Sequence, residues 1–207
     1  NAGDPTGVAF DTNGAKMYVT GNDNNNIYQY TLSTAFDLST ASYNSVSFSV
    51  ASQDGTPRDL AFNSDGSKVF ILGNQNDTVY QYSLSTAFDL STASYDSVSF
   101  SVASQEGQPN GLTFNSNGDK MYVVGETNKT VYQYSLSTAF DLSTASYDSV
   151  TFSVTSEETV PQSVVFSPQG AKMFIVGRTS DTVFQYSTQE IFQPTAQYTP
   201  AVTNLGG

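Results

Sequence analysis

Acid–base chemistry in this sequence has to run on carboxylates, because its 207 residues include neither histidine nor cysteine. The usual general base, the commonest metal ligand and the thiol nucleophile are therefore missing. The candidates that remain sit in short polar segments: Asp4, Thr6, Asp23, Asn24, Asp54, Arg58, Asp59, Gln75, Asp77, Glu106, Gln108, Asn110, Glu126, Lys129, Glu157, Gln162, Arg178 and Asp181. Oxygen donors clustered as at 22–26 would suit a hard cation such as calcium. No segment has EF-hand spacing, and the turn preference of Asp and Asn accounts for these loops better. Asp59 with Glu106 is the carboxylate pair that could do acid–base work, and no repeated pair backs it up. These residue types point to a binding surface without catalysis, confident metal site or cofactor.

The elements that position these residues come from an internal repeat of 52 residues. Pro5, Pro57, Pro109 and Pro161 mark equivalent points, as do Phe10, Phe62, Phe114 and Phe166, and Gly14, Gly66, Gly118 and Gly170. Tyr28-Gln29-Tyr30 recurs as Tyr80-Gln81-Tyr82, Tyr132-Gln133-Tyr134 and Phe184-Gln185-Tyr186. A fixed period of this size means units that bury their apolar faces only against one another. The units span about 1–52, 53–104, 105–156 and 157–207 of a single domain covering 1–207, and the last decays after Tyr186.

Within the second unit, Leu60-Ala61-Phe62 precedes a turn ending in Gly66, which tolerates the positive φ of hairpin turns. The near-continuous apolar run 68–72 follows, then the alternating run 78–84, a connector over 85–96 and the alternating run 98–102. No stretch carries helical periodicity over a helix length. Each unit therefore reads as four antiparallel strands, a to d. Strand b is apolar on both faces, and strand d on one face only. That gradient predicts an all-β propeller of four 52-residue blades, with a innermost and d outermost. It would form a four-bladed ring or half of a larger one. Asp37, Asp89 and Asp141 in the connectors read as turn or capping residues.

The segments Pro57 to Phe62, Asp65 to Gly73 and Val79-Tyr80-Gln81-Tyr82 resemble the YVTN/NHL-type propeller repeats. The stretch Leu84 to Tyr95 is similar to a subgroup found in bacterial surface proteins and phage tail-fibre or structural proteins. The resemblance implies the fold, and it implies little about activity. The fourth copy departs from it: Phe192-Gln193-Pro194 stands where the others have Phe-Asp-Leu, and its strand d would be 202–205.

In a propeller, the d–a and b–c loops share one face. Those loops vary between copies, whereas the a–b turns and c–d connectors hardly do. Variation confined to one face is where repeat proteins usually bind. On this assignment the variable face carries ten acidic and three basic side chains, a balance of −7 within a chain of net charge −12. Such a face favours a cation or a basic partner and disfavours nucleic acid. Lys16, Lys68, Lys120 and Lys172 read as solvated strand starts.

No run reaches the length of a membrane span. A chain that opens on Asn1 without Met reads as processed or excerpted, which leaves room for a removed signal peptide or anchor. The expected function is a non-catalytic extracellular or virion-surface adhesion module, with a surface protein or glycan as partner. The alternatives are a structural subunit of a fibre, assembling through blade edges or ring completion, and a calcium-dependent or lactonase-like propeller using Asp59 with Glu106.

Overall fold

The structure is a computed structural model that describes residues 2–188 and the backbone of Thr203–Asn204. It is all-β, with four antiparallel four-stranded sheets in simple meander order. Blade 1 is β1 (Pro5–Phe10), β2 (Lys16–Gly21), β3 (Asn26–Leu32) and β4 (Ala41–Ser49). Blade 2 is β5 (Pro57–Phe62), β6 (Lys68–Gly73), β7 (Thr78–Leu84) and β8 (Ala93–Ser101). Blade 3 is β9 (Pro109–Phe114), β10 (Lys120–Gly125), β11 (Thr130–Leu136) and β12 (Ala145–Ser153). Blade 4 is β13 (Pro161–Phe166), β14 (Lys172–Gly177), β15 (Thr182–Ser187) and the short β16 (Thr203–Asn204). The remainder of the expected last strand, and the divergent stretch from Phe192 to Tyr198, lie outside the described residues.

The chain divides into two compact units, residues 1–101 and 102–207, each of two blades. Side chains alternate across each strand, so every blade has two faces. The face bearing Val8, Leu60, Leu112 or Val164 is here termed leading, and the opposite face trailing. In the first unit, Tyr18, Ile27, Val46 and Phe48 on the trailing face of blade 1 pack on Leu60, Val69, Ile71, Tyr80 and Tyr82 of blade 2. The joint contains the ring pairs Tyr18–Phe62 at 4.5 Å and Phe48–Tyr82 at 5.4 Å. In the second unit, Tyr122, Val124, Val131 and Phe152 pack on Val164, Met173, Ile175, Phe184 and Tyr186. The joint is thus a repeated object, built from equivalent residues.

Strand d differs from the sequence expectation. It begins at Ala93, inside the expected connector, because Ala93, Ser94 and Tyr95 pair with Leu84, Ser83 and Tyr82. The register then shifts, and Val98 pairs with Gln81. Ser97 bends the chain at φ 58°, as do Ser45 and Ser149 at equivalent points. This bulge breaks the two-residue alternation and hides the first part of the strand. The rest of the connector is one 3₁₀ turn capped by Asp89, whose carboxylate accepts the Ser91 N–H at 3.0 Å. Asp37 and Asp141 cap their turns in the same way, as expected.

The capped turn of blade 2 locks the first joint. Leu90 is fully buried, and its N–H donates to Gln29 Oε1 of blade 1 at 2.9 Å. The Phe88 carbonyl accepts from Tyr18 Oη at 2.6 Å and from Lys16 Nζ at 2.8 Å. The repeated lysine is therefore not simply a solvated strand start. In blade 3, Lys120 instead pairs with Asp148 at 2.9 Å. Blade 1 has Asn44 at the position of Asp148, which leaves Lys16 available for the Phe88 carbonyl.

Gly66 (φ 73°) and Gly170 (φ 69°) hold the same left-handed turn position. A methyl on Gly66 would overlap the Phe88 ring, whereas no described residue lies within 4 Å of a methyl on Gly170. Gly66→Ala is expected to cost about 3 kcal/mol, combining left-handed strain with displacement of the ring. In a Phe88→Ala background Gly66→Ala should carry only the backbone part, about 1 kcal/mol. Urea unfolding of both variants measures the difference, and equal costs would contradict this account of the joint.

Candidate functional site

The loops of the variable face are tied together by buried carboxylates. Asp54, Glu106 and Glu158 occupy one repeat position and are no more than 2 % exposed. Asp54 Oδ1 accepts the N–H groups of Thr56 at 2.8 Å and Gln75 at 3.2 Å, and Oδ2 accepts that of Asn76 at 3.0 Å. Glu106 Oε1 accepts from the N–H groups of Gln108 and Thr127 at 3.0 and 2.8 Å, and Oε2 from that of Asn128 at 3.1 Å. Glu158 accepts from the N–H groups of Val160, Thr179 and Ser180, at 2.7, 3.2 and 3.1 Å, and also from the Ser180 hydroxyl. Each carboxylate thus staples a d–a loop to its b–c loop. Burial alone would raise the Glu158 carboxyl, but the Ser180 hydroxyl and the three backbone donors hold it down at about 2.

These placements revise the reading of the acidic face. Asp54 and Glu106 are interior structural groups, out of reach of a partner. The pairing of Asp59 with Glu106 fails as a catalytic device, because Glu106 commits both oxygens to loop backbone. Asp77, Lys129 and Asp181 share a left-handed loop position with φ of 48°, 49° and 50°. That backbone demand favours Asp and Asn and explains two of the three without a ligand. Asp4, Asp23, Asn24, Gln75, Gln108, Arg178 and Asp181 are exposed, and Glu126 and Glu157 half-buried. Among the described residues, no three acidic side chains gather as a metal site.

The innermost strands hold a second group. Thr6 Oγ1 donates to the Pro57 carbonyl at 2.9 Å and lies 2.9 Å from Thr20 Oγ1. Asn110, its equivalent in blade 3, is buried and donates to the Pro161 carbonyl at 3.1 Å. Both therefore brace one blade against the next. Gln162, the blade 4 equivalent, is half-buried. Arg58 holds this position in blade 2, where its Nε is shielded from solvent and takes no hydrogen bond. Asp59 follows, half-buried, with Oδ1 accepting the Leu60 N–H at 2.9 Å. Gly7 admits it: a methyl there would lie 2.8 Å from Asp59 Oδ1 and 2.9 Å from Thr20 Oγ1. The first unit thus places a guanidinium with a shielded Nε next in sequence to a carboxylate that lies near the Thr20 hydroxyl. Arg58 and Asp59 were both legible as candidates, but their separation from the stapling acids was not.

A cavity of about 470 Å³ lies between the turns at 114–117 and 166–170, lined by Phe114, Tyr122, Phe166, Pro168 and Thr188. In the matching cleft of the first unit the Phe88 ring lies 5.4 Å from that of Phe62, and Phe192, the equivalent of Phe88, lies outside the described residues.

No family model and no curated protein matches this chain. Solved structures do. A protein from Bacteroides uniformis, provisionally named a 6-phosphogluconolactonase, superposes with a TM-score of 0.63 at 12 % identity, over 97 % of this chain and 53 % of its own. The periplasmic gluconolactonase of Pseudomonas aeruginosa gives a TM-score of 0.56 at 14 % identity, over 88 % of this chain and 49 % of its own. The Swd1 β-propeller domain of Myceliophteria thermophila gives 0.55 at 14 % identity, over 88 % and 53 %. The chain spans about half the length of these proteins. Two of the three carry lactonase names, which overturns the expectation of a non-catalytic adhesion module. Opening a lactone needs a base and an oxyanion donor, roles that carboxylate and guanidinium groups can fill, so the lack of histidine excludes nothing here. Likeness at this level of identity establishes the fold: the chain is a β-propeller protein with four blades.

Proposed function

We propose that this chain is a lactonase-like propeller, or the half of one, that hydrolyses the ring ester of a sugar lactone. Its repeat is read as YVTN/NHL-like. The names of the Bacteroides uniformis and Pseudomonas aeruginosa proteins support the substrate class. Within the chain, the carrying observation is Arg58, with its shielded and unbonded Nε, next to the half-buried Asp59.

The roles follow from charge. Asp59 accepts a proton from water as the water oxygen adds to the lactone carbonyl carbon. Arg58 donates to the oxygen that becomes negative in the tetrahedral intermediate. The ring C–O bond then breaks, the departing oxygen takes back the proton held by Asp59, and the product is the open hydroxy acid, with the Asp59 carboxylate restored. Arg suits this role because it stays charged and carries several fixed donors.

The test is hydrolysis of glucono-δ-lactone by the purified chain, in mildly acidic buffer where the spontaneous reaction is slow. Arg58→Ala and Asp59→Asn should each lower kcat/KM by about 100-fold or more, with folding intact by circular dichroism. A rate equal to buffer alone, or one untouched by both substitutions, would sink the proposal.

A further inference from the structure

The innermost strand of every blade bulges just after its proline, because the ladder slips by one residue there. The residue that follows the bulge is Gly7 in blade 1, Asp59 in blade 2, Gly111 in blade 3 and Ser163 in blade 4. Within each unit a glycine therefore stands against the polar residue of the next blade. A methyl on Gly7 would lie 2.8 Å from Asp59 Oδ1, 2.9 Å from Asp59 Cα and 2.9 Å from Thr20 Oγ1. A methyl on Gly111 would lie 2.8 Å from Ser163 Cα and 3.0 Å from the Val164 nitrogen.

Backbone conformation demands neither glycine. Among the described residues the positive-φ glycines are Gly14, Gly66, Gly118 and Gly170, so Gly7 and Gly111 serve by their lack of a side chain. At Gly111 the space is taken up by backbone of the next blade. At Gly7 it also borders an acid, since Asp59 Oδ1 and Thr20 Oγ1 both lie within 2.9 Å of the missing methyl. A hydroxyl has one proton to give. Thr6 gives its proton to the Pro57 carbonyl, which makes Thr20 the donor in the 2.9 Å contact between the two hydroxyls. The Gly7 carbonyl, 3.3 Å from Thr20 Oγ1, is the other acceptor of that proton. Neither threonine proton is thus spent on Asp59, and what Gly7 gives the carboxylate is room.

We propose that Gly7 is a positioning residue for lactone hydrolysis: the side chain it lacks is the space that sets the Asp59 carboxylate where it takes the proton of the attacking water. This role rests on the lactonase reading given above. A general base works only within hydrogen-bond reach of the proton it abstracts, and a misplacement of about 1 Å costs about 100-fold in rate. Filling the space beside Asp59 moves the base and leaves the groups that hold the lactone, so the loss falls on kcat and spares KM. Gly111 is the internal comparison. It meets the next blade as closely as Gly7 does, and the residue opposite it is a serine.

The experiment compares Gly7→Ala, Gly111→Ala and Asp59→Glu with the native chain in the hydrolysis of glucono-δ-lactone, the fold of each being checked by far-ultraviolet circular dichroism. Gly7→Ala should lower kcat at least about 10-fold with KM changed by less than about two-fold. Gly111→Ala, with the same packing insult, should keep kcat within about two-fold of the native value. Asp59→Glu retains the acid, lengthens it by one methylene towards Gly7, and should also lose at least about 10-fold in kcat. If Gly7→Ala does not fold, Asp59→Glu decides by itself. A native chain no faster than buffer overturns the lactonase reading and this role with it. In an active chain, three results overturn the role of Gly7 alone: a native rate in Gly7→Ala, a native rate in Asp59→Glu, or an equal loss in Gly111→Ala.

Discussion

Glu106→Ala is expected to lower the unfolding free energy by about 3 kcal/mol, because three buried backbone N–H groups lose their acceptor together. The carboxylate is fully buried and binds Gln108 on one loop and Thr127 and Asn128 on another, so its loss frees both loops. Glu106→Gln should recover little. An amide brings one acceptor oxygen and sets its NH₂ against N–H donors. Urea denaturation measures both variants, and a cost near zero would mean that water reaches the loop amides and that the staple is incidental.

The same device predicts a pH dependence. The Glu158 carboxyl lies near 2 in the folded chain against its ordinary value of 4.5. A depressed folded value means that the stabilisation is complete above 4.5 and is lost as the pH falls towards 2. The span corresponds to at most about 3 kcal/mol. Glu158→Gln should flatten that part of the stability curve and lower its neutral plateau. A mutant curve parallel to the native one down to pH 2 would contradict the assignment.

Leu90→Ala should be the other large loss, about 3 kcal/mol, as expected when a buried leucine leaves a cavity. The side chain is fully buried where blade 2 reaches back to Gln29 of blade 1. Leu38 holds the equivalent position in the first repeat, at 62 % exposure. Leu38→Ala should change stability by less than about 0.5 kcal/mol. Thermal unfolding of the two variants compares one side chain in two surroundings. Similar losses would mean that the turn stabilises its own blade and not the joint.

The blades were legible because period, turn glycines and alternation all point the same way. Strand d was legible only from Val98 onwards. Its first residues precede a bulge at Ser97, where a serine takes the left-handed angle usually signalled by glycine or asparagine. The staples were missed although their signal was present: acids recur at 54, 106 and 158 in strict register, within loops that otherwise vary. A recurring residue in a varying loop carries a structural duty, and it was counted instead as surface charge. The exposure of Val8 could not be read at all. Val8 and Leu60 are equally apolar, and what lies opposite each one is not a property of its own repeat.

The staples take their main donors from main-chain amides, which every residue except proline supplies. Several b–c loop side chains add a second set of ties: Gln75 Oε1 accepts the Gly55 N–H at 3.1 Å, Asn76 and Asn128 donate to the Gln53 and Gln105 carbonyls at 2.9 and 2.6 Å, and the Thr159 hydroxyl donates to that of Thr179 at 3.1 Å. Randomising Thr127, proline excluded, should leave its loop in register around Glu106, whereas randomising 75–76, 128 and 179 also removes these side-chain ties. The loops are in that sense doubly fastened, so that losing one side chain should loosen a loop without releasing it from its carboxylate.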